Sequence, residues 1–466
     1  MTELARLPHA DADLTAMLAR CLSFDLRPGD CLRLQGDLGA GKSHFARALI
    51  RTRLGDPWAE VPSPTFTLVQ AYDAPDGSEI WHADLYRLSD PAELAELGLE
   101  DAFSSAITLI EWPDRGEGLP DNALVVQITA TDDPDLRSIS LLGDPGHWGF
   151  VQRAAQKTVL LHRSGWAAAD MTALAGDASS RRYFRLSRGD ECAILMDAAP
   201  GSCGPYLAMT GWLQERGFAA PEIYAQDAEA GLLLMQDLGD DLVARVTDAD
   251  PTLTVPVYDR ITDFLVELHR HPAPDVLSLD GAELARQVSL FGLHYLPAVG
   301  LDPARANAVA PAIQALWDQL CADVAPVCAL RDFHAENIIW RGDQPLGLLD
   351  FQDAVAAHPA YDLVSVLQDV RRDLPPALEA RQMARYCAAT GTDPDRFAAA
   401  YALLGVARNL RILGIFARLA QQDGKRRYLA FMPRTWALIM RDLAHPALAP
   451  LAAALDGIPA PDRSLL

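Results

Sequence analysis

Lysine is almost missing from this chain of 466 residues: Lys42, Lys157 and Lys425 are the only three among its 40 basic residues. The bias towards arginine fits genomic base composition, yet it leaves Lys42 as the sole lysine ahead of Lys157. Positive charge as a whole is short. Against 63 acidic residues the net charge is −23, and such a balance lacks the basic surface needed to grip nucleic acid alone. Paired cysteines are missing too. The seven cysteines are odd in number, scattered and free of any C-x-x-C spacing, which excludes a disulfide or zinc framework and reads as buried thiols in a reducing compartment. No apolar run reaches the ~18 residues that span a bilayer. "YALLGVARNLRILGIFARL" comes nearest and is interrupted by Arg408, Arg411 and Arg418. The opening "MTELARLPHADADL" is acidic where a signal peptide has a basic start and an apolar middle. Together these absences imply a cytoplasmic protein without membrane association.

What is present is apolar material and nucleotide chemistry. Half the residues are hydrophobic, and the length implies two to four domains, since single cores rarely grow beyond about 250–300 residues. "CLRLQG" reads as a short strand, followed by a glycine loop and a helix over "KSHFARALIRTRLG". "TFTLVQAY", "EIWHADLY", "AITLIEW" and "ALVVQIT" read as further strands. Turn residues in "GDPGHWG", Gly143 to Gly149, mark a junction. Beyond it "RRYFRL", "CAILMD" and "GLLLMQDL" read as strands, and from about Pro256 the chain is mostly helical. A small sheet-rich lobe followed by a larger helical lobe is the layout of kinase-like folds.

"GDLGAGKS" satisfies G-x-x-x-x-G-K-[ST] with Gly36, Gly41, Lys42 and Ser43, and Gly39 lies within the loop. Strand before and helix after are the required context. Glycines let backbone N–H groups curl around phosphates, the helix N-terminus adds partial positive charge, Lys42 reaches the β/γ-phosphates and the Ser43 hydroxyl holds Mg²⁺. Such a loop also needs an acid at the end of a neighbouring strand, for which Glu111 and Asp84 are both candidates, and Thr65 sits where a mobile loop can sense the γ-phosphate. Together "GDLGAGKS", "SPTFTLVQAY", "HADLYRL" and "IEWPDRG" resemble the successive signatures of the TsaE family, over roughly residues 1–145. TsaE proteins are small bacterial ATPases of the tRNA threonylcarbamoyladenosine machinery that act with TsaB and TsaD partners. The resemblance implies that Lys42 and Ser43 bind ATP-Mg²⁺, that Glu111 is the Walker B-like metal residue, that Asp84 supports hydrolysis and that Thr65 belongs to a switch-like loop. Ser43 stands where the family more often has Thr, which keeps the hydroxyl. Hydrolysis that resets a protein complex, without direct strong nucleic-acid binding, suits the acidic charge.

The second constellation is "LRDFHAENIIW" followed by "LGLLDFQDA". Phosphoryl transfer to a hydroxyl needs a carboxylate base and side chains that hold Mg²⁺. Asp332 is placed as the base, Asn337 five residues on as one metal ligand, and Asp350 at a strand end as the other. His334 either touches substrate or packs within the loop, and Asp362 in "HPAYDLVSVLQD" reads as a helix N-cap. Upstream, "GDASSRRYFRL" offers a phosphate-covering turn with Gly176, Ser179, Ser180, Arg181 and Arg182, and "LLLMQDL" a hinge in which Met235 either meets adenine or fills the core. These stretches, with "AILMDAAP", resemble the aminoglycoside phosphotransferase superfamily, and within it AmgK-type cell-wall amino-sugar kinases, over about residues 157–460. The resemblance implies phosphorylation of N-acetylmuramate or N-acetylglucosamine at the anomeric hydroxyl for peptidoglycan recycling. One departure stands out: Met196 falls where kinase-like folds place a phosphate-clamping lysine, leaving Arg181, Arg182 or Arg185 to neutralise that charge.

The expected architecture is therefore an α/β P-loop NTPase domain, residues 1–145, then a linker over 146–156, then an α+β two-lobed protein-kinase-like domain, 157–460, with its N-lobe at about 157–238 and its C-lobe at about 239–460. The expected function is a bifunctional fusion with two ATP sites. Two alternatives stand beside it for the second half: a kinase for another alcohol, such as an aminoglycoside or choline, or a silent sugar-sensing module that adjusts the ATPase.

Overall fold

A computed structural model describes residues 1–88, 97–174 and 181–461. The chain forms two compact units, one from Met1–Gly204 with Glu222–Asp237, the other from Pro205–Pro221 with Leu238–Leu466.

In the first unit seven strands among the described residues form one sheet, in the order β1 (Thr2–Ala10), β7 (Arg137–Gly143), β6 (Leu124–Ala130), β2 (Cys31–Gln35), β5 (Ile107–Glu111), β4 (Glu79–Asp84), β3 (Val69–Asp73). The inner strands β6, β2, β5 and β4 run parallel, and β5 is buried at all five residues, which is why they read as apolar runs and not as alternating patterns. Helix α1 (Ala12–Ser23) starts where Asp11 accepts from the Leu14 backbone N–H at 2.7 Å. Helix α2 (Lys42–Leu54) follows the glycine loop after β2. The strand expected from "TFTLVQAY" begins only at Val69. Thr65–Leu68 is instead a turn ending in Leu68 at φ 63°, and the Asp84 N–H donates to Leu68 O at 2.9 Å.

A second, antiparallel sheet has the order β11 (Ile223–Asp227), β12 (Leu232–Gln236), β10 (Glu191–Asp197), β9 (Arg182–Arg188), β8 (Asp170–Ala173). The stretch expected as a linker, 146–156, is not one. It holds a single turn, Pro145–Trp148, and the start of helix α3 (Phe150–Arg163). Trp148 is fully buried and its indole N–H donates to Asn122 O at 2.6 Å. Helix α3 buries Val151, Ala154, Leu160 and Leu161 and packs against α1 and against the second sheet. One hydrophobic core consequently runs from Leu7 and Leu18 through Trp148 and Leu161 to Phe184, Leu195 and Leu234. The stripe on α3 cannot face water, so the helix bridges the two sheets instead of spacing them apart.

Charges follow the same path. Lys157 of α3 is wholly buried, its Nζ 3.4 Å from Asp197 and 3.8 Å from Asp25. Arg153 donates through Nε to Asp197 Oδ1 at 2.8 Å. Six of the seven cysteines are buried and free, as expected, and Cys192 is the exception on the surface.

The second unit is mainly helical: α4 (Gly204–Gln214), α5 (Thr254–Leu268), α6 (Ala360–Leu367), α7 (Pro376–Thr390), α8 (Pro394–Gln422) and α9 (Met432–Leu443) are its longer described helices used below. Helix α8 has the length and apolar content to cross a membrane, but 83% of its most apolar window is buried inside the protein; it is the core helix of this unit. Two short antiparallel ladders, β13 (Val327–Ala329) with β16 (Val355–Ala357) and β14 (Ile338–Ile339) with β15 (Gly347–Leu348), frame the loop that contains Asp332.

Candidate active sites

In the first unit the glycine loop leaves the centre of the sheet at the carboxyl end of β2, between β6 and β5, the position where open α/β sheets bind ligands. Gly36 sits at φ 150°, and a Cβ there would lie 2.3 Å from Ile128 O, so no side chain fits. Gly41 sits at φ 110° immediately before α2. Between them the backbone bends into a cradle at a helix N-terminus, the geometry that receives phosphate.

The expected residues converge on a cavity of about 310 Å³ lined by Gly39, Gly41, Lys42, Ser43, Thr65, Asp84 and Glu111, with Trp112 and Tyr86 at its side. Asp84 and Glu111 are register partners at the ends of β4 and β5. The Ser43 hydroxyl donates to Glu111 Oε2 at 3.0 Å, and Thr65 to Asp84 Oδ2 at 2.7 Å. Ser63 also donates to that Asp84 oxygen, at 3.1 Å. Lys42 Nζ donates to Gly36 O at 2.7 Å and Asp37 O at 2.9 Å and lies 3.8 Å above the Trp112 ring. Burial lowers the Lys42 pKa, opposed by Glu111 and Asp84. Two residues carry unforeseen parts. His82, 1% exposed, meets Glu111 Oε1 through Nε2 at 2.9 Å. Trp112, at φ 55°, is held in a left-handed turn that brings its ring under the lysine. Both lie inside quoted motifs, "HADLYRL" and "IEWPDRG", and the polar-apolar alternation along β4 is the signal that would have set His82 beside Asp84. A cradle too tight for a Cβ, a hydroxyl on a carboxylate and a lysine turned onto loop carbonyls fit a magnesium nucleotide.

In the second unit the ladder of β14 and β15 pairs Ile338 with Leu348, and the Leu349 N–H donates to Asn337 O at 2.9 Å. This sets Asn337, just before β14, beside the end of β15, where Asp350 follows. The Asn337 amide donates to Asp332 O at 2.9 Å and lies 3.3 Å from His334 Nε2. An amide donor at Nε2 puts the ring proton on Nδ1, which is buried without a partner among the described residues. Burial pushes His334 down to about 4, so it is a neutral, packed loop residue at ordinary pH. Asp350 sits at φ 53°, a left-handed position that Asp tolerates better than most residues, and its Oδ1 accepts from Gln352 at 2.9 Å.

Asp362 does not cap its helix. The helix α6 begins after Pro359 with no side-chain cap, and Asp362 lies within the first turn, wholly buried. Its two oxygens accept the backbone N–H groups of Leu330 (2.5 Å) and Arg331 (3.0 Å). Arg331 is at φ 72°, and its carbonyl accepts from Ser365 at 3.0 Å. Thus α6 clamps the strained turn that precedes Asp332. Burial pushes Asp362 up to about 7, partly offset by the two backbone donors.

The sheet of β8–β12 answers the remaining expectations. Ser179 and Ser180, with Gly176, lie outside the described residues. Arg182 shares the face of β9 with buried Phe184 and Leu186, and it donates to Asp25 at 2.5 Å. Arg185, on the opposite face, is bidentate to Asp237, at 2.6 and 3.3 Å. Arg181 is half-buried at the start of β9. Met235, 3% exposed, pairs with Ile194 and Ile223 in the sheet. Met196 pairs with Leu233 and Tyr183, fully buried.

Fold and sites define a P-loop ATPase domain joined to a phosphotransferase. Residues 9–139 match the family model for the threonylcarbamoyl adenosine biosynthesis protein TsaE, and residues 170–400 that of the phosphotransferase enzyme family. A curated "N-acetylmuramate/N-acetylglucosamine kinase" of Caulobacter vibrioides is 37% identical over 350 residues, spanning 66% of this chain and 96% of that protein. One of Pseudomonas putida is 34% identical over 290 residues, 58% of this chain and 83% of that protein. A "tRNA threonylcarbamoyladenosine biosynthesis protein TsaE" of Rickettsia bellii is 41% identical over 120 residues, 26% of this chain and 82% of that protein. The chain belongs to both families, TsaE in its N-terminal part and the N-acetylmuramate/N-acetylglucosamine kinases in the remainder, and is an enzyme. Membership of an ATPase family and a kinase family implies the use of ATP at both.

Proposed function

We propose that the chain is a bifunctional cytoplasmic enzyme. Its N-terminal domain hydrolyses ATP in support of threonylcarbamoyladenosine modification of tRNA, acting with TsaB- and TsaD-type subunits. Its C-terminal part transfers phosphate from ATP to the anomeric hydroxyl of N-acetylmuramate or N-acetylglucosamine. The observation that carries the kinase reading is the clamped loop, in which Asp362 fixes the turn before Asp332 while the β14–β15 ladder brings Asn337 and Asp350 to one end.

Asp332 accepts the proton of the sugar hydroxyl as it attacks. Asn337 and Asp350 would hold Mg²⁺, which would supply neutralising charge for the phosphates. In the first domain Ser43 and Glu111 would hold the metal, Lys42 would leave its loop carbonyls for the phosphates, and Asp84, through Thr65, ties the loop at 63–68 to the same site. Arg181 and Met235, with the serines Ser179 and Ser180, are assigned to the kinase's own nucleotide. The P-loop and the Asp332 loop lie in different compact units, which favours two separate activities.

The test uses full-length protein, γ-labelled ATP and a sugar panel. Label moves to N-acetylmuramate and N-acetylglucosamine, Asp332→Asn abolishes transfer, and Lys42→Ala abolishes the basal ATPase while transfer persists. Transfer surviving in Asp332→Asn, or label on choline or an aminoglycoside alone, overturns the reading.

A further inference from the structure

Helix α8 carries a charge that the fold leaves unanswered. Arg408 is only 7% exposed. Among the described residues it makes no hydrogen bond, ion pair or ring contact, and its Nη1 is fully buried without a partner. Other arginines of this unit are treated differently. Arg371 meets Glu336 at 3.2 Å, Arg372 meets Asp248 at 2.6 Å, and Arg441 meets Glu379 at 2.7 Å. In a chain with 63 acids and 40 bases, acids are not scarce, yet none closes on Arg408.

Guanidinium cannot escape burial by losing its proton. Left without an anion, it costs several kcal/mol that an apolar side chain of the same volume does not. Its surroundings locate it. The charges that act on it most are those of Tyr361 of α6, Asp332 of the catalytic loop, Asp369 after α6 and Arg411 of its own helix. His334 feels Arg408, Asp369 and Asp332 together. Asp369 Oδ1 accepts from the Arg371 backbone N–H at 3.0 Å, while its Oδ2 is buried and unpartnered among the described residues, as is His334 Nδ1. Arg408 Nη1, Asp369 Oδ2 and His334 Nδ1 are thus a cation, an acceptor and a donor buried without a partner among the described residues, and the charge of Asp332 acts on both Arg408 and His334.

We propose that Arg408 receives a carboxylate on the acceptor sugar, and so sets the preference for an acidic over a neutral amino sugar. The proposal rests on the kinase reading above. N-acetylmuramate carries a lactyl carboxylate where N-acetylglucosamine has a hydroxyl. With the anomeric hydroxyl on Asp332, that carboxylate would otherwise approach a site already holding Asp332 and Asp369. Arg408 offsets the repulsion and gains the anion it lacks.

The experiment compares wild type, Arg408→Met and Arg408→Lys in full-length protein, by steady-state kinetics on both sugars and by melting without ligand. Loss of a buried charge-assisted contact, about 2 kcal/mol or more, converts to about thirtyfold. The ratio of kcat/KM for N-acetylmuramate to that for N-acetylglucosamine therefore falls about thirtyfold or more in Arg408→Met, through KM. Arg408→Lys recovers part of it, and the unliganded melting temperature of Arg408→Met does not fall. Equal loss of kcat on both sugars assigns Arg408 to the reacting groups and overturns the proposal. A lower melting temperature with an unchanged ratio makes the residue structural and overturns it as well. If wild type phosphorylates neither sugar, the kinase reading fails, and calorimetric titration of both sugars into wild type and Arg408→Met still decides. N-acetylmuramate bound by wild type and lost in the variant upholds the proposal; equal binding sinks it.

Discussion

Asp362 shows how much one side chain does for the candidate kinase site. Its carboxylate takes two backbone N–H groups that have no other acceptor, at a turn whose Arg331 is already in a costly conformation. Removing it orphans both donors and releases the strain. Asp362→Ala lowers unfolding free energy by about 2–4 kcal/mol, measured by urea denaturation, and lowers kcat for the sugar, because Asp332 is no longer held. An isosteric Asp362→Asn keeps one good acceptor and falls between. That Asn337 stands beside the end of β15, where Asp350 follows, was legible because the spacing along the chain mirrors a two-stranded ladder. Asp362 was not, because an acid near a helix start looks the same whether it caps its own helix or a distant loop. Arg408 was visible only as an interruption in an apolar run; burial without a partner is a three-dimensional fact.

At the scale of elements, helices α6, α7, α8 and α9 share a buried polar network. Gln368 donates to Asp442 Oδ2 at 2.9 Å, Asn409 to Gln368 at 2.9 Å, and Tyr401 to Glu379 at 2.7 Å, with Arg441 on Glu379. Burial pushes Asp442 up to about 7, against the pull of Gln368 and Arg441. The folded state therefore holds a proton that the unfolded chain gives up near pH 4. The stability from this group is full below about pH 4 and is lost as pH rises to about 7. Asp442→Asn carries no such proton, so its melting temperature relative to wild type is higher at pH 8 than at pH 5. A constant offset between the two buffers would mean that Asp442 is charged in the fold. The helix α3 teaches a second lesson. Its amphipathic stripe can be found in the sequence, but what the stripe packs on cannot, and turn residues before it read as a linker.

For the whole molecule, sequence reading separated a P-loop domain, a kinase N-lobe and a C-lobe. The second compact unit takes Leu238–Leu466 but also Pro205–Pro221 from within the expected N-lobe, and the first two blocks share one core. Calorimetry of the full chain should therefore give two transitions and not three. Hydrogen exchange should show β9 and β10 opening with β2 and β5, and not with the helices of the second unit. Exchange of β9 and β10 in step with α8 would contradict this.

Trp148 lies in that common core, at the turn that joins the first sheet to helix α3. A cavity there removes packing from an ATPase and from part of a kinase at once, so a single missense change becomes a pleiotropic lesion. A cell carrying it would show two unrelated deficits, and supplying either enzyme separately would complement only one. Fusion at this helix turns two genetically independent traits into one inherited together, expressed one to one and lost together.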